Sequence, residues 1–309
     1  MASLTAEAAV ARPLPRRRRR KYGGFNAWLF ALPALAVYVV FLVYPSVTSL
    51  FFSLTDWDGL SPSYNIVGLQ NYVDMTKDPV IATALKNNAI WTVVTLSVPL
   101  VIGLALAILL NGKVRGKPIL RLIFYTPAVL PLVSIASIWG WLYDPQYGAI
   151  NEFLRLIGLG QLAQPWLGQD STALAAIMVP AIWLRTGFPM LLYLAALQGI
   201  SQEMYEAATV DGATKSQQFW HITMPSLKPA HYIVIALSLI DSFKVFDMIY
   251  AMTYGGPGTA TQVMGTWMYV NVFQYYQAGY GTAIAVVVTV IAIVVSIPYV
   301  LSQTKEHSS

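Results

Sequence analysis

The sequence predicts an all-α integral membrane protein, and three features carry that prediction. Hydrophobic residues make up 56% of the 309, charged residues only 11%, and the mean hydropathy is +0.57. Soluble domains carry nearer a quarter charged residues. Six apolar stretches, 28–52, 89–110, 122–143, 173–197, 232–254 and 282–301, are long enough to cross a hydrocarbon core, which takes about 20 helical residues. Lys and Arg are shared unevenly among the segments that join them. There is no Cys, so disulfide frameworks, thiolate metal sites and thiol nucleophiles are excluded. His221, His231 and His307 are too scattered to suggest a metal cluster.

Residues 1–27 read as a disordered basic tail. Arg16 to Lys21 is an unbroken run of positive charge, better suited to anionic lipid headgroups than to nucleic acid. The first apolar stretch is about 25 residues, longer than the roughly 7–15 of a signal-peptide core, and is read as a retained anchor. Pro33 and Pro45 within it predict kinks rather than breaks, because neighbouring helices can satisfy the freed carbonyls. Residues 28–303 form one membrane domain, and 304–309 a short second tail.

Orientation follows from the positive charges. With the N-terminus inside, the inner segments hold fourteen of the nineteen Lys and Arg, the outer loops only Lys77, Lys86 and Arg155, and the spans Arg185 and Lys244. Both termini and the polar segment 206–229 are therefore expected in the cytoplasm. Nine Trp and eighteen Tyr are absorbed largely by aromatic belts at the two bilayer surfaces, and none outside the fourth and fifth spans is assigned to a ligand. Thr92, Thr95, Ser97, Ser134 and Ser137 read as helix-packing contacts.

Charges inside the spans need partners or a cavity, since each costs about 2.5–3.5 kcal/mol at a helix centre on insertion scales. Arg185 lies in the fourth span, and Asp241, Lys244 and Asp247 recur every three residues along the fifth. At 1.5 Å per residue Asp241 and Arg185 reach similar depths. One reading is a structural bridge between them. The other is a polar wall of a translocation path, with Phe243, Phe246, Tyr250 and Trp183 as stacking faces. Both readings stand.

The segment 201–229 reads helix, bend, helix. Ser201 caps a helix through about Val210, and Asp211-Gly212 breaks it, because Gly tolerates the positive φ of a sharp bend. Thr214 and Gln217 stand at capping-box spacing for a second short helix, which Pro225 is expected to end. A compact helical pair at the membrane surface is a surface suited to being gripped. The chain has no G-x-x-x-x-G-K-[ST] motif: Gly112-Lys113 is followed by Val114 and Gly116-Lys117 by Pro118, neither with a hydroxyl for Mg²⁺. An ATP-driven process would draw its energy from another protein.

Glu206-Ala207-Ala208, then Gly212, then Ile222 and Met224-Pro225 at fixed spacing resemble the EAA loop of ATP-binding-cassette importer permeases. Met224 stands where that pattern usually has Leu. Asp211-Gly212-Ala213 with Phe219 and Leu227-Lys228-Pro229 resembles the carbohydrate-importer (CUT1) branch. Ser53-Leu54-Thr55-Asp56-Trp57 with Val67-Gly68-Leu69-Gln70-Asn71-Tyr72 resembles the first external loop of sugar-importer permeases. Asp247 with Thr253-Tyr254-Gly255-Gly256-Pro257-Gly258 and Thr261 resembles the group of the larger maltose-importer permease and the first glycerol-phosphate permease. Read without that likeness, the glycine-rich run is a tight turn at the outer surface.

The resemblance implies a six-helix type I importer-permease fold in a bacterial inner or plasma membrane. It implies a second, non-identical permease, two cassette ATPases that hold ATP and Mg²⁺, an extracytoplasmic solute-binding protein, and a carbohydrate moved by alternating access. It implies no catalysis and no cofactor on this chain. Glu206 and Gly212 would position the coupling helix, Ala207, Ala208 and Ala213 would allow close approach, Phe219 and Ile222 would anchor, and Asp211 would cap or pair at the bend. A polyol or glycerol-phosphate-like solute remains an alternative, kept open by Arg185 and Lys244. A secondary transporter would show inverted repeats, and none is visible. A membrane enzyme would need a nucleophile or metal grouping, which is also not visible.

Overall fold

The computed structural model describes residues 24–306. The basic run and His307 lie outside the described residues, as does most of the tail assigned to 1–27. The chain divides into two compact units, residues 1–48 and 49–309.

α1 (Gly24–Tyr38) passes through a π-helical turn, Val39–Val43, into α2 (Tyr44–Phe52), whose residues 49–52 belong to the second unit. The apolar run Leu29–Phe52 is one helix of 24 residues, so Pro33 and Pro45 do not break it. Tyr44 N–H donates to Val39 O, five residues back, and this widens the helix just before Pro45. The wider turn makes room for a ring that would otherwise meet the carbonyl of Phe41.

After α2 comes a loop with an isolated antiparallel bridge, Thr55 to Ile66, followed by α3 (Gln70–Met75). The long α4 (Pro79–Asn111) begins well before the apolar stretch it contains. Asp78 caps it, accepting from Val80 N–H at 2.8 Å, with Pro79 at the first helical position. The third apolar stretch is not the continuous span expected over 122–143. It runs as α5 (Lys117–Tyr125), a 3₁₀ turn at Thr126–Val129, and α6 (Leu132–Leu142), and the two arms are bent by 100°. Leu130 precedes Pro131 and is extended at ψ 142, because a residue before proline is pushed out of the helical region.

After α7 (Ala149–Leu156), α8 (Ala173–Gln198) matches its predicted limits closely. Then come α9 (Gln202–Val210), α10 (Lys215–Gln218), a π turn at Phe219–Thr223, and α11 (Met224–Ser226). The fifth stretch, expected as one helix over 232–254, is instead α12 (Lys228–Ser242) and α13 (Asp247–Thr253) with a break between. Lys244 sits in that break and Asp247 starts the next helix, so the three charges do not line one helical face. An additional helix, α14 (Met264–Phe273), precedes the last, α15 (Ala278–Glu306), which continues into the tail assigned to 304–309. Among the described residues, Leu29–Phe52, α4, α8 and Ala278–Tyr299 are long and apolar enough to cross a membrane, and the bent pair, counted as one span, makes up to five, against the six expected.

Three buried clusters hold the second unit together. Trp91, Ile177, Ala181, Ile135 and Ile249 join α4, α8, α6 and α13. Ala107, Leu110, Tyr193, Leu194 and Val234 join α4, α8 and α12. Met75, Ile81, Met264, Trp267 and Ile284 join α3, α4, α14 and α15. Lipid is as apolar as the helices, so association rests on close packing. Gly103 gives the clearest case: a Cβ there would lie 2.8 Å from Pro189 Cβ and 2.9 Å from Met190 N. Only hydrogen fits at that crossing of α4 and α8.

Candidate functional site: an exposed hairpin and a polar cavity

The segment after α8 folds as its capping residues predict. Ser201 Oγ accepts from Glu203 N–H at 3.2 Å to start α9. Gly212 closes the helix at φ +80, and Ala213 N–H donates to Ala208 O at 2.9 Å. Thr214 and Gln217 form the reciprocal capping box that starts α10. Two side-chain bonds tie the arms: Gln218 Nε2 to Thr209 Oγ1 at 2.9 Å, and the Tyr205 and Thr223 hydroxyls at 2.8 Å.

Pro225 does not end the second arm. Met224 N–H donates to Phe219 O, a π turn placed against Pro225 as the first one is against Pro45. The helix widens past the proline and continues to Ser226.

Ala208, Asp211, Gly212, Ala213 and Ile222 line one concavity of about 320 Å³ between the arms, with Gln217, Gln218 and His221. Glu206 and Ala207 are exposed on the first arm, and Phe219 and Ile222 are half-buried on the second. The Asp211 carboxylate has no partner among the described residues, whereas its N–H closes α9 on Ala207 O. A Cβ on Gly212 would meet nothing within 4 Å, so the positive φ alone demands glycine there. Two exposed apolar residues were not singled out from sequence: Val210, 88% exposed, and Trp220, 61% exposed and edge-on to Phe219.

The second constellation lies deeper. Arg185 Nη1 of α8 donates to Asp241 Oδ2 of α12, an ion pair that joins the two helices. Both residues line a cavity of about 570 Å³ with Lys244, Phe188 and Pro189, and the bend between α5 and α6 closes it through Ala128, Leu130 and Leu132. Lys244 is exposed, and its ammonium meets no carboxylate among the described residues. Asp247 is likewise exposed, and unpaired among the described residues, at the start of α13.

The aromatic residues divide. Phe246 and Tyr250 stack at 5.1 Å and 15°, and Tyr269 of α14 packs on both. Phe243 turns elsewhere, into an apolar cavity with Leu85, Val93 and Val288 between α4 and α15. Trp183 packs on Trp139 with ring centres 6.1 Å apart.

The glycine-rich run is a turn with Tyr254 and Gly258 exposed, and the residues that follow it are packed inward. Thr261, Gln262 and Val263 are buried, Thr261 Oγ1 donates to Gly256 O at 2.7 Å, and Asn87 of α4 donates to Ala260 O and Gln262 O. The two segments that resemble a sugar-permease loop, 53–57 and 67–72, also meet. Asn71 Nδ2 donates to Ser53 O and Thr55 O, and the Ser53 and Tyr72 hydroxyls bond at 2.7 Å.

Residues 99–305 match the family model described as the binding-protein-dependent transport system inner membrane component. The chain is 33% identical over 311 residues to the diacetylchitobiose uptake system permease protein NgcF of Streptomyces coelicolor, covering 94% of this chain and 88% of that one. It is 34% identical over 275 residues to the trehalose/maltose transport system permease protein MalF of Thermococcus litoralis, covering 88% and 91%. A chain in the crystal structure of a bacterial alginate ABC transporter, in complex with an alginate pentasaccharide-bound periplasmic protein, matches with TM-score 0.78 at 23% identity, over 89% of this chain and 92% of that one. That likeness concerns the fold, which is the type I importer-permease fold. The family match contains the hairpin, the ion pair and the cavity, so this multi-pass membrane chain belongs to the binding-protein-dependent transport system inner membrane components.

Proposed function

We propose that this chain is one of two permease subunits of an ATP-driven carbohydrate importer in a bacterial inner or plasma membrane, with both termini cytoplasmic. Membership of a binding-protein-dependent transport family supports the reading, and relatives named for diacetylchitobiose and trehalose/maltose favour a carbohydrate. The observation that carries it is the hairpin: a rigid, capped, exposed helical pair whose orientation, from the Lys and Arg distribution, is cytoplasmic.

In this reading two cassette ATPases, which hold the ATP and Mg²⁺, grip the hairpins of this chain and of a second, similar permease. Closure of the ATPase pair moves the hairpins together and rocks the permease halves from inward- to outward-facing. Val210 and Trp220 join Phe219 and Ile222 as the apolar contacts, and Glu206 and Asp211 are free to meet basic partners. An extracytoplasmic protein delivers the solute, which passes the Arg185, Asp241 and Lys244 cavity and the Phe246–Tyr250 stack. The unpaired Lys244 favours a second reading, a polyol phosphate or other anionic solute. Mass spectrometry of ligand bound to the purified importer with its binding protein tests both. A neutral sugar supports the first, a phosphorylated polyol the second, and an amino acid or metal neither.

A further inference from the structure

The turn from α4 into α5 gathers four cations, Lys113, Arg115, Lys117 and Arg121. No carboxylate answers them: among the described residues the ion pairs are Lys77–Asp74, Arg155–Glu152 and Arg185–Asp241. Lys113 and Arg115 are exposed. Lys117 Nζ donates to Asn111 O at 3.4 Å, which ties the start of α5 to the end of α4.

Arg121 is an independent sign of a missing acceptor. The residue is half-buried, and its Nε is shielded from solvent with no hydrogen-bond partner among the described residues. A guanidinium is always charged and only donates, so a shielded N–H without an acceptor is costly. Lys117 stands four residues earlier, one turn away on the same side of α5. The surroundings decide which anion fits. The apolar run of α4 ends at Leu109-Leu110 and that of α5 starts at Ile119, so the cations stand where the chain leaves the hydrocarbon. Leu109, Ile119, Leu122 and Ile123 are each more than half exposed. Only residues 112–116 join the two helices, too few to carry the cations far from the bilayer surface. An anion that meets unpaired cations and open apolar side chains together is an amphiphile.

We infer that the α4–α5 turn binds the headgroup of an anionic phospholipid. The lipid phosphate meets Arg121 and Lys117, Lys113 and Arg115 add to the attraction from the rim, and the acyl chains lie against Ile119, Leu122 and Ile123. Each cation near an anionic surface strengthens such binding, and the attraction fades within a Debye length. The inference goes beyond the importer reading and needs only that the chain spans a membrane. On the orientation proposed above, the lipid belongs to the inner leaflet.

The test measures binding of a fluorescent phosphatidylglycerol to the purified full chain in neutral detergent, with a phosphatidylcholine of the same acyl chains as control. Wild type should prefer phosphatidylglycerol, and the preference should shrink between about 20 mM and 300 mM salt, as screening of charged contacts requires. Arg121→Gln should weaken phosphatidylglycerol roughly threefold, and with Lys113→Gln, Arg115→Gln and Lys117→Gln added, roughly tenfold or more. Phosphatidylcholine binding should stay unchanged in both, which shows that the fold is intact. Changing Arg16 to Arg20 to Gln, in the basic tail, should leave the preference in place. The site is overturned if the four-site variant binds phosphatidylglycerol as wild type does, or if the tail variant alone loses the preference. Displacement of the lipid by excess inorganic phosphate would assign the cations to a free anion and overturn the lipid as well. No ATP, ATPase or binding protein is present, so failure here leaves the importer reading standing.

Discussion

Arg185 on α8 and Asp241 on α12, 56 residues apart in sequence, meet as an ion pair inside the apolar part of the chain. Arg185 is the better buried partner, with 22% of its side chain exposed against 56% for Asp241. Removing either leaves an uncompensated charge beside a cavity, which is costly in a low-dielectric setting. Discounted for the exposure of Asp241, Arg185→Ala or Asp241→Ala should cost the assembled importer about 1–2 kcal/mol. The double variant should recover part of that loss. Thermal unfolding of the four proteins completes the cycle. Strictly additive losses would show that the two charges do not stabilise each other.

Lys244 and Asp247 should behave differently. Neither has a charged partner among the described residues, and both are exposed, so Lys244→Gln and Asp247→Asn should assemble with near wild-type stability. Solute uptake should nonetheless change in apparent affinity or rate by several-fold. Unchanged uptake in fully assembled variants would remove both residues from the path.

The hairpin gives a third expectation. Gly212 holds φ +80, so Gly212→Val should cost about 1–2 kcal/mol locally and distort the bend. Gly212→Asp and a bulky residue at Ala207 or Ala208 should block close approach of the ATPase. Trp220→Ala touches little within the chain, yet should weaken ATPase association at least tenfold if Trp220 is an interface anchor. Co-purification of the ATPase with each variant checks this. Retention of both the ATPase and coupled uptake in all of them would contradict the assignment.

This hairpin was almost wholly legible in the sequence, because each of its signals is local. Ser201 precedes a helix, Gly212 supplies a positive φ, and Thr214 with Gln217 closes a box over four residues. Pro225 misled for a local reason as well: it reads as a stop unless the preceding turn widens, and the π turn from Phe219 does that. The 100° bend at Leu130-Pro131 was hidden by hydropathy, which measures how apolar a stretch is and not its direction. The break at Phe243–Phe246 carries no Gly or Pro. Val245, Met248 and Ile249 are drawn into the first core cluster, so packing sets it. The depth argument paired Arg185 with Asp241 correctly, but it could not tell that Phe243 faces a different cavity from Lys244.

The loop between α2 and α3 carries a pH dependence whose sign is fixed. Asp58 accepts from the Ser61 hydroxyl and from the N–H groups of Ser61 and Leu60, which pull its pKa from 3.8 down to about 2. A depressed carboxylate pKa gives order that is complete above the unfolded value and is lost as pH falls through the folded one. Amide exchange in residues 58–61 should therefore be flat from pH 7 to about 4, after correction for intrinsic rates, and protection should fall between about 4 and 2. Asp58→Asn should lose protection at all pH values. A loop that loosens near pH 6 would contradict the assignment.

The most direct test of the importer reading is solute uptake into liposomes. This chain would be reconstituted alone, and together with a second permease, two cassette ATPases and a solute-loaded binding protein. The complete assembly should concentrate a carbohydrate at the expense of ATP, and the chain alone should neither hydrolyse ATP nor accumulate solute. Accumulation by the chain alone, driven by an ion gradient without ATP, would contradict that reading and make this chain a secondary transporter.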